Sequence, residues 1–451
     1  MLVNLPLSEH EFRQNIAPMW LLLKFLARTI RLGRLILIEA NGRVHEFGTA
    51  HPDYPDVTLR FADVRVPGEI IRNPRLGFGE AWLDGRLIFD VGDIERFLTL
   101  FRENASWESG GEWLKPKGLV RRAVGDVVAR LDRLNWERKS KRNVAHHYDL
   151  DDRLFSLFLD HDRQYSCAYF ADPSHNLDQA QTDKKAHIAA KLALAPGQRV
   201  LDIGCGWGGM ALYLNQVADV EVLGITLSEE QLKVAQQRAV DAGVADRVRF
   251  ELIDYRAVEG QFDRIVSVGM FEHVGPRNYL TFFAKAKSLL SDDGVMLLHT
   301  IGRMGKPGTT DPFTAKYIFP GGYNPALSEI VAASERARLI LTDVEVLRLH
   351  YAHTLDIWLA RTRAARDTIV ELYDERFYRL WEFYLAGASG AFRYGGLVNF
   401  QLQYARHRNA VPITRDYMAA TEAEYQAKAA RLPGRGMTSR SCLSSEPLII
   451  G

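Results

Sequence analysis

Two groups of residues in this chain have types and spacings that can do chemistry, and each follows a strand-like run. The first is Val200-Leu-Asp-Ile-Gly-Cys-Gly-Trp-Gly-Gly209. Asp202 stands ahead of Gly204, Gly206 and Gly208, and glycines let a backbone turn sharply and approach a ligand closely. The third glycine of a dinucleotide fingerprint is out of place and no P-loop lysine follows. The loop therefore points to a nucleoside without phosphates. A second strand ends in Gly224-Ile-Thr-Leu-Ser228, where Ser228 and Gln231 have the spacing of a capping box. Thr226, Leu227 and Gln231 then border the crevice beyond the strand ends. After a third strand, Asp254-Tyr255-Arg256 offers an acid and a flat ring where an adenine can lie.

The second group is Glu272 and His299, which follow the fourth and fifth strands. In a doubly wound sheet those strands are neighbours, roughly 4.8 Å apart. Carboxylate and imidazole then converge beside the first group. Capping, turn or core packing would explain each residue singly; their order after successive strands is the argument for one site.

The elements that position these groups fall into three regions. Residues 1–110 read as a small α+β lobe: a helix over 18–30, strands at 34–39, 43–47, 57–61 and 81–84, and a helix over 95–104. Residues 111–142 read as a connector, helical in period over 119–134, and residues 112–142 carry ten basic against four acidic residues. Three readings stand for that excess: a solvated linker helix, a surface for anionic lipid headgroups with Trp113 and Trp136 among the charges, or a nucleic-acid contact, which lacks a recognition motif. Residues 143–432 alternate strands (199–203, 221–226, 248–252, 263–268, 295–300) with helices (209–215, 229–242, 279–290). That is α/β and predicts a doubly wound, Rossmann-like sheet. The tail, 433–451, is polar and aperiodic and reads as disordered.

The 451 residues carry a net charge of +1, so no global field recommends nucleic acid as a partner. Three cysteines give neither a disulfide framework nor a zinc site, and a reducing cytoplasm fits; no metal is expected. The most apolar stretch, 20–38, is interrupted by Lys24, Arg28, Arg31 and Arg34, so it is no membrane span. Peripheral membrane contact stays open.

The layout resembles an S-adenosylmethionine-dependent methyltransferase, and a set of hexapeptide-length motifs narrows it. Tyr165-Ser-Cys-Ala-Tyr-Phe170, the glycine loop, Gly224–Ser228, Phe271-Glu-His-Val-Gly275, Leu298-His-Thr-Ile-Gly302 and Lys316-Tyr-Ile-Phe-Pro-Gly-Gly322 are similar to the cyclopropane-fatty-acyl-phospholipid synthase family. The resemblance covers about residues 130–430 strongly and the N-terminal lobe weakly. It implies methylene addition across a cis double bond of a phospholipid acyl chain, at the inner face of a membrane. It also implies that Tyr165 and Ser166 meet the cofactor's carboxylate end. A bicarbonate ion would be held as base by Cys167, Glu272, His299, the backbone of Ile301, and Tyr351. The family is often a homodimer, which nothing in the residues derives. A sibling product, methylene- or methyl-branched, shares the same first step.

Phe313, Tyr317, Ile318, Phe319, Tyr323, Phe377, Phe383 and Phe392 are expected to wall an acyl tunnel or, for about half of them, to be ordinary core. One departure is Ala388, where the family often carries a cysteine. A thiol is not required for alkene methylation, and any scheme relying on one there is excluded.

Overall fold

The computed structural model describes residues 9–110 and 151–431, with side chains from residue 17 onward. The expected connector and the expected tail lie outside the described residues.

The large lobe is built on a seven-stranded sheet, labelled here in chain order with the four N-terminal strands first. Its strands are β5 (Arg199–Ile203), β6 (Glu221–Thr226), β7 (Val248–Leu252), β8 (Phe262–Val268), β9 (Leu290–Arg303), β10 (Ile340–Leu347) and β11 (Leu397–Ala405). The order is β10-β11-β9-β8-β5-β6-β7. β5 to β9 run parallel, β11 pairs antiparallel with β9, and β10 pairs antiparallel with β11 and so runs in the direction of the rest. The central strands are apolar along most of their length, as sheets covered on both faces require. β5 lies between β6 and β8, so strand order reverses there. A crevice opens at that reversal, outside the carboxyl ends of the strands. The sequence reading found β5 to β9 within a few residues and did not find β10 or β11.

Helix starts follow their chemistry. Asn176 accepts from Gln179 N–H at 2.9 Å to open helix Leu177–Lys191, and Ser228 accepts from Gln231 N–H at 3.3 Å to open helix Glu229–Asp241. Asp374 likewise starts helix Glu375–Arg393.

The N-terminal lobe has four strands in the order β2-β1-β3-β4: β1 (Gly33–Ile38), β2 (Val44–Thr49), β3 (Asp56–Phe61) and β4 (Leu87–Val91). Residues 81–84, read as a strand, close helix Pro74–Leu83 instead; the strand comes afterwards, as β4. The alternation at 81–84 is too short to tell the two periods apart, and Pro74 is a good first helical residue. The first helix, Glu9–Thr29, also begins earlier than expected and runs through Pro18.

The lobes are not packed as separate bodies. One hydrophobic cluster holds Leu26, Leu35 and Phe101 of the small lobe together with Phe158, Trp358 and Trp381 of the large one. Trp82 Nε1 donates to Arg379 O at 3.0 Å, and Tyr317 Oη donates to Glu80 Oε1 at 2.8 Å. A Cβ on Gly79 would stand 2.5 Å from Phe313, so a hydrogen atom is all that fits there. Among the described residues no helix is long and apolar enough to cross a membrane.

Candidate active site

A single cavity of about 1320 Å³ opens at the strand-order reversal. Its floor is the glycine loop. Gly204 and Gly208 have φ of +85° and +84°, and a Cβ on Gly208 would meet Phe250 at 2.7 Å, so glycine is required there for both conformation and space. Gly206, at φ +53°, has open space around it. Asp202 is buried at the end of β5, and its Oδ2 has no partner among the described residues. Burial raises its carboxyl to about 7. An ammonium or hydroxyl donor entering the cavity would satisfy that oxygen.

The segment before helix Leu177–Lys191 folds over this loop. A Cβ on Gly209 would stand 2.3 Å from Gln164 Nε2 and 2.4 Å from Asp162 Oδ2, which is how closely the two strips of chain meet. Asp162 is ion-paired with Lys185 and with Arg238. Burial works to raise its carboxyl, but those two cations outweigh it and hold it well below the usual range. Arg238 Nη1 also donates to Trp207 O at 2.8 Å, which fastens the loop from beneath.

Ser166 and Gln164 are oriented by Lys184, whose Nζ donates to Ser166 Oγ at 2.9 Å and to Gln164 Oε1 at 2.7 Å. Lys184 is fully buried, and burial lowers its ammonium to about 8. The sequence reading missed it. Its signal was a lysine on the inward stripe of helix Leu177–Lys191, in line with Ala180 and Ile188. Tyr165 lies with its hydroxyl 3.3 Å from that of Tyr384, and its ring stacks on Trp358.

On the other side of the loop, Thr226 Oγ1 accepts from Ser228 N–H at 3.1 Å and donates to Gln231 Oε1 at 3.2 Å. Leu227 is exposed at the cavity rim. Tyr255 turns an edge toward Phe282, while Asp254 takes Arg256 in a paired contact at 2.6 and 2.8 Å. All the expected cofactor residues except Gly208, which packs against Phe250 behind the loop, line the same cavity.

Glu272, Cys167, His299, Ile301 and Tyr351 line it too. Glu272 sits in a short 3-10 turn after β8. Its Oε1 accepts the Ile301 N–H at 2.6 Å, and its Oε2 is buried without a partner among the described residues. Burial raises its carboxyl to about 7, so both protonation states lie within reach near neutrality. The Ile301 N–H, which the resemblance assigns to an anion, is thus engaged by Glu272. His299 is buried within β9, which runs on to Arg303 rather than ending before the imidazole as expected, and burial lowers it to about 3, so the ring is neutral. Both its nitrogens meet side-chain amides of β11, Asn399 at 2.9 Å and Gln401 at 3.2 Å. Cys167 is fully buried, and burial pushes its thiol up, away from thiolate chemistry. Tyr351 opens helix His350–Ala364 with its ring 4.8 Å from Phe392. Cys205 packs within a core cluster.

Of the eight apolar residues offered as a tunnel, Phe313, Phe319, Phe383 and Phe392 line the cavity and the other four do not. Ala388 lines it. A further part of the apolar wall comes from the N-terminal lobe, including Leu26, Leu37, Phe61, Phe78 and Phe101. Sequence reasoning had not found it.

Comparison with known proteins decides the family. The model of mycolic acid cyclopropane synthetase matches residues 136–402, more than half of the chain. This chain belongs to that family. The cyclopropane-fatty-acyl-phospholipid synthase of Escherichia coli is 40% identical over 352 residues, covering 76% of this chain and 88% of the relative. A probable fatty acid methyltransferase of Pseudomonas putida is 35% identical over 376 residues, covering 81% and 92%. Among solved structures, the mycolic acid cyclopropane synthase CmaA1 complexed with SAH and CTAB is 36% identical with a TM-score of 0.56, covering 58% of this chain and 97% of that one. The chain is therefore an S-adenosylmethionine-dependent enzyme of this family, with the Rossmann-like methyltransferase fold expected from its motifs.

Proposed function

We propose that the protein is a cyclopropane-fatty-acyl-phospholipid synthase, adding a methylene group across the cis double bond of an unsaturated phospholipid acyl chain. The observation that carries this is the continuity of one cavity. It joins the glycine loop and Glu272 to an apolar passage walled by both lobes. A small polar acceptor would not call for a passage lined by Leu26, Leu37, Phe78 and Phe101.

S-adenosylmethionine supplies an electrophilic methyl carbon and departs as a neutral thioether. The residues suited to hold it are Tyr165, Ser166 and Gln164 at the methionine end, Asp202 with the glycine loop in the middle, and Thr226, Gln231 and the 254–256 turn at the nucleoside. The orphaned Asp202 Oδ2 fits a donor of that molecule. The protein's first task is positioning: an alkene is a weak nucleophile and must be held at near-attack distance. Its π electrons form the new carbon–carbon bond, which leaves a carbocation on the chain. Tyr165, Tyr351 and Tyr384 line the cavity, and aromatic rings there are suited to stabilise that charge. The apolar walls keep water away from it. Loss of a proton from the added methyl lets the freed electron pair close the ring.

Glu272 Oε2 is suited to the proton's exit, being unpartnered and near neutrality in its affinity. Its second lone-pair site also fits the O–H of a bicarbonate ion, with the Tyr351 hydroxyl as a further donor. That ion would supply a small base next to the reacting carbon, held by Glu272, Tyr351, Cys167 and His299. The acyl chain would come from a membrane surface to which the protein binds peripherally.

Expression in a heterologous host with unsaturated phospholipids tests the reading. Ring protons at high field and a mass gain of one CH₂ per acyl chain are expected. A vinylidene carbon or a methyl branch would replace this reading with the sibling activity, a methylene- or methyl-branched product.

A further inference from the structure

The first helix, Glu9–Thr29, turns two different stripes inward and outward. On the inner side Leu22, Leu26 and Ile30 are buried, and Leu22, Phe25 and Leu26 wall the passage. On the outer side Trp20 is 56% exposed and Leu21 45%. Lys24 and Arg28 follow them, exposed, at the three- and four-residue spacing that keeps side chains on one face. Arg31 and Leu32, directly after the helix, are exposed as well. Lys24 Nζ stands 4.7 Å from the centre of the Trp20 ring, over its face.

From residue 17 to residue 38 the sequence holds four basic residues and no acid. Arg34 is paired with Glu46, whereas Lys24, Arg28 and Arg31 have no ion pair among the described residues. A merely solvated helix face needs neither an indole nor a one-sign charge. The composition selects a partner. Lysine and arginine stems lie along apolar surface while their charged heads reach outward. An indole sits at the boundary between headgroups and acyl chains. A helix whose outer face is cationic and apolar lies in the plane of an anionic bilayer. A second copy of this chain does not match: a two-fold contact through this face would set basic residues against basic residues, with no acid to receive them. A nucleic acid would meet the charges but leave Leu21 and Leu32 uncovered.

We propose that the outer stripe of this helix, Trp20, Leu21, Lys24 and Arg28 with Arg31 and Leu32, is the face by which the protein lies on an anionic phospholipid bilayer. One helix then has the membrane on one side and the passage on the other, so the two are separated by about one helix diameter, roughly 10 Å. The link from docking to turnover rests on the proposed function; the docking itself does not.

The test is co-sedimentation of the full chain with vesicles of an equal mixture of unsaturated phosphatidylcholine and phosphatidylglycerol, against phosphatidylcholine alone. The unmodified protein should favour the mixed vesicles and be released by salt. Lys24→Gln/Arg28→Gln/Arg31→Gln should weaken partition by about 100-fold, counting about fivefold for each basic residue near an anionic surface, and should flatten the salt dependence. Trp20→Ser/Leu21→Ser should weaken it by about tenfold through lost apolar contact. Arg249→Gln/Arg408→Gln/Arg431→Gln removes the same charge from exposed positions elsewhere and should leave partition within about twofold. In the variants of the first helix a cooperative melt, affinity for S-adenosylmethionine and turnover of lipid dispersed in a non-ionic detergent should be kept, while turnover on vesicles falls. Failure of the unmodified protein to bind mixed vesicles, whether or not it binds a DNA duplex, would overturn the proposal. So would equal partition of the charge variant and its control. Self-association that Trp20→Ser/Leu21→Ser dissolves, with vesicle binding unmoved, would assign the face to a second copy instead. Vesicle binding without any ring product would count against the proposed function and leave the docking face standing.

Discussion

Glu272 Oε1 takes the backbone N–H of Ile301 at 2.6 Å. The bond ties the turn after β8 to the end of β9, the strand that also carries His299. One carboxyl oxygen is fixed by main chain, and the other is left without a protein partner at the cavity. A group pinned by one oxygen and free at the other can change its protonation without losing its place.

Glu272→Gln keeps an acceptor for the Ile301 N–H and abolishes ionisation. Turnover is expected to fall by about 10²- to 10⁴-fold, the range for loss of an acid–base group. Affinity for S-adenosylmethionine should stay within about threefold. Labelled-methyl incorporation into unsaturated vesicles gives the first quantity and calorimetry the second. Parallel collapse of both would contradict the assigned role.

The same residue sets a pH dependence of stability. Its carboxyl is raised from 4.5 to about 7 by burial. Between those values the folded protein keeps the proton while the unfolded chain sheds it, so the folded state loses stability as pH rises through the window. A shift of that size corresponds to on the order of 3 kcal/mol. Glu272→Gln should therefore stabilise the cofactor-free protein more at pH 8 than at pH 5, as read from denaturant melts. An equal effect at both values would show that the carboxyl is not desolvated.

Asp202 carries the corresponding prediction for the cofactor. Its buried Oδ2 is a waiting acceptor, and Asp202→Asn replaces one carboxylate oxygen by a donor. Binding of S-adenosylmethionine should weaken by about 1–3 kcal/mol, the usual loss when a charged hydrogen bond is removed. Calorimetry at fixed pH measures it; unchanged affinity would detach Asp202 from the cofactor.

Gly79 tests the passage between the lobes. A Cβ there would stand 2.5 Å from Phe313 Cδ2 and 3.1 Å from Phe383 Cε1, and both rings line the cavity. Gly79→Ala is expected to destabilise by about 1–3 kcal/mol, as overpacking does, and to raise KM for lipid while cofactor affinity is unchanged. A KM for lipid that does not move would exclude these rings from the acyl path.

Much of the catalytic side was legible in the sequence because it sits on strand ends. Strand order and the period of two carry Asp202, Thr226, Asp254, Glu272 and His299 to one edge with no knowledge of packing. Lys184, Gln401 and Asn399 were not legible. A lysine inside an amphipathic helix reads as surface, and β11 is an antiparallel addition whose pairing with β9 joins residues a hundred positions apart. The N-terminal wall of the cavity was hidden for the same reason. Leu26 and Phe78 look like the core of their own lobe until the other lobe is set beside them. The Ala81–Asp84 segment failed differently: four residues are too few to separate a helical from an extended period.

The cavity's divided walls have a thermodynamic consequence. Apolar faces of the two lobes line opposite sides of one passage. A fatty chain entering that space makes contacts with both lobes at once. A substitution in either wall is therefore felt by the same acyl chain, because one passage is shared by both lobes.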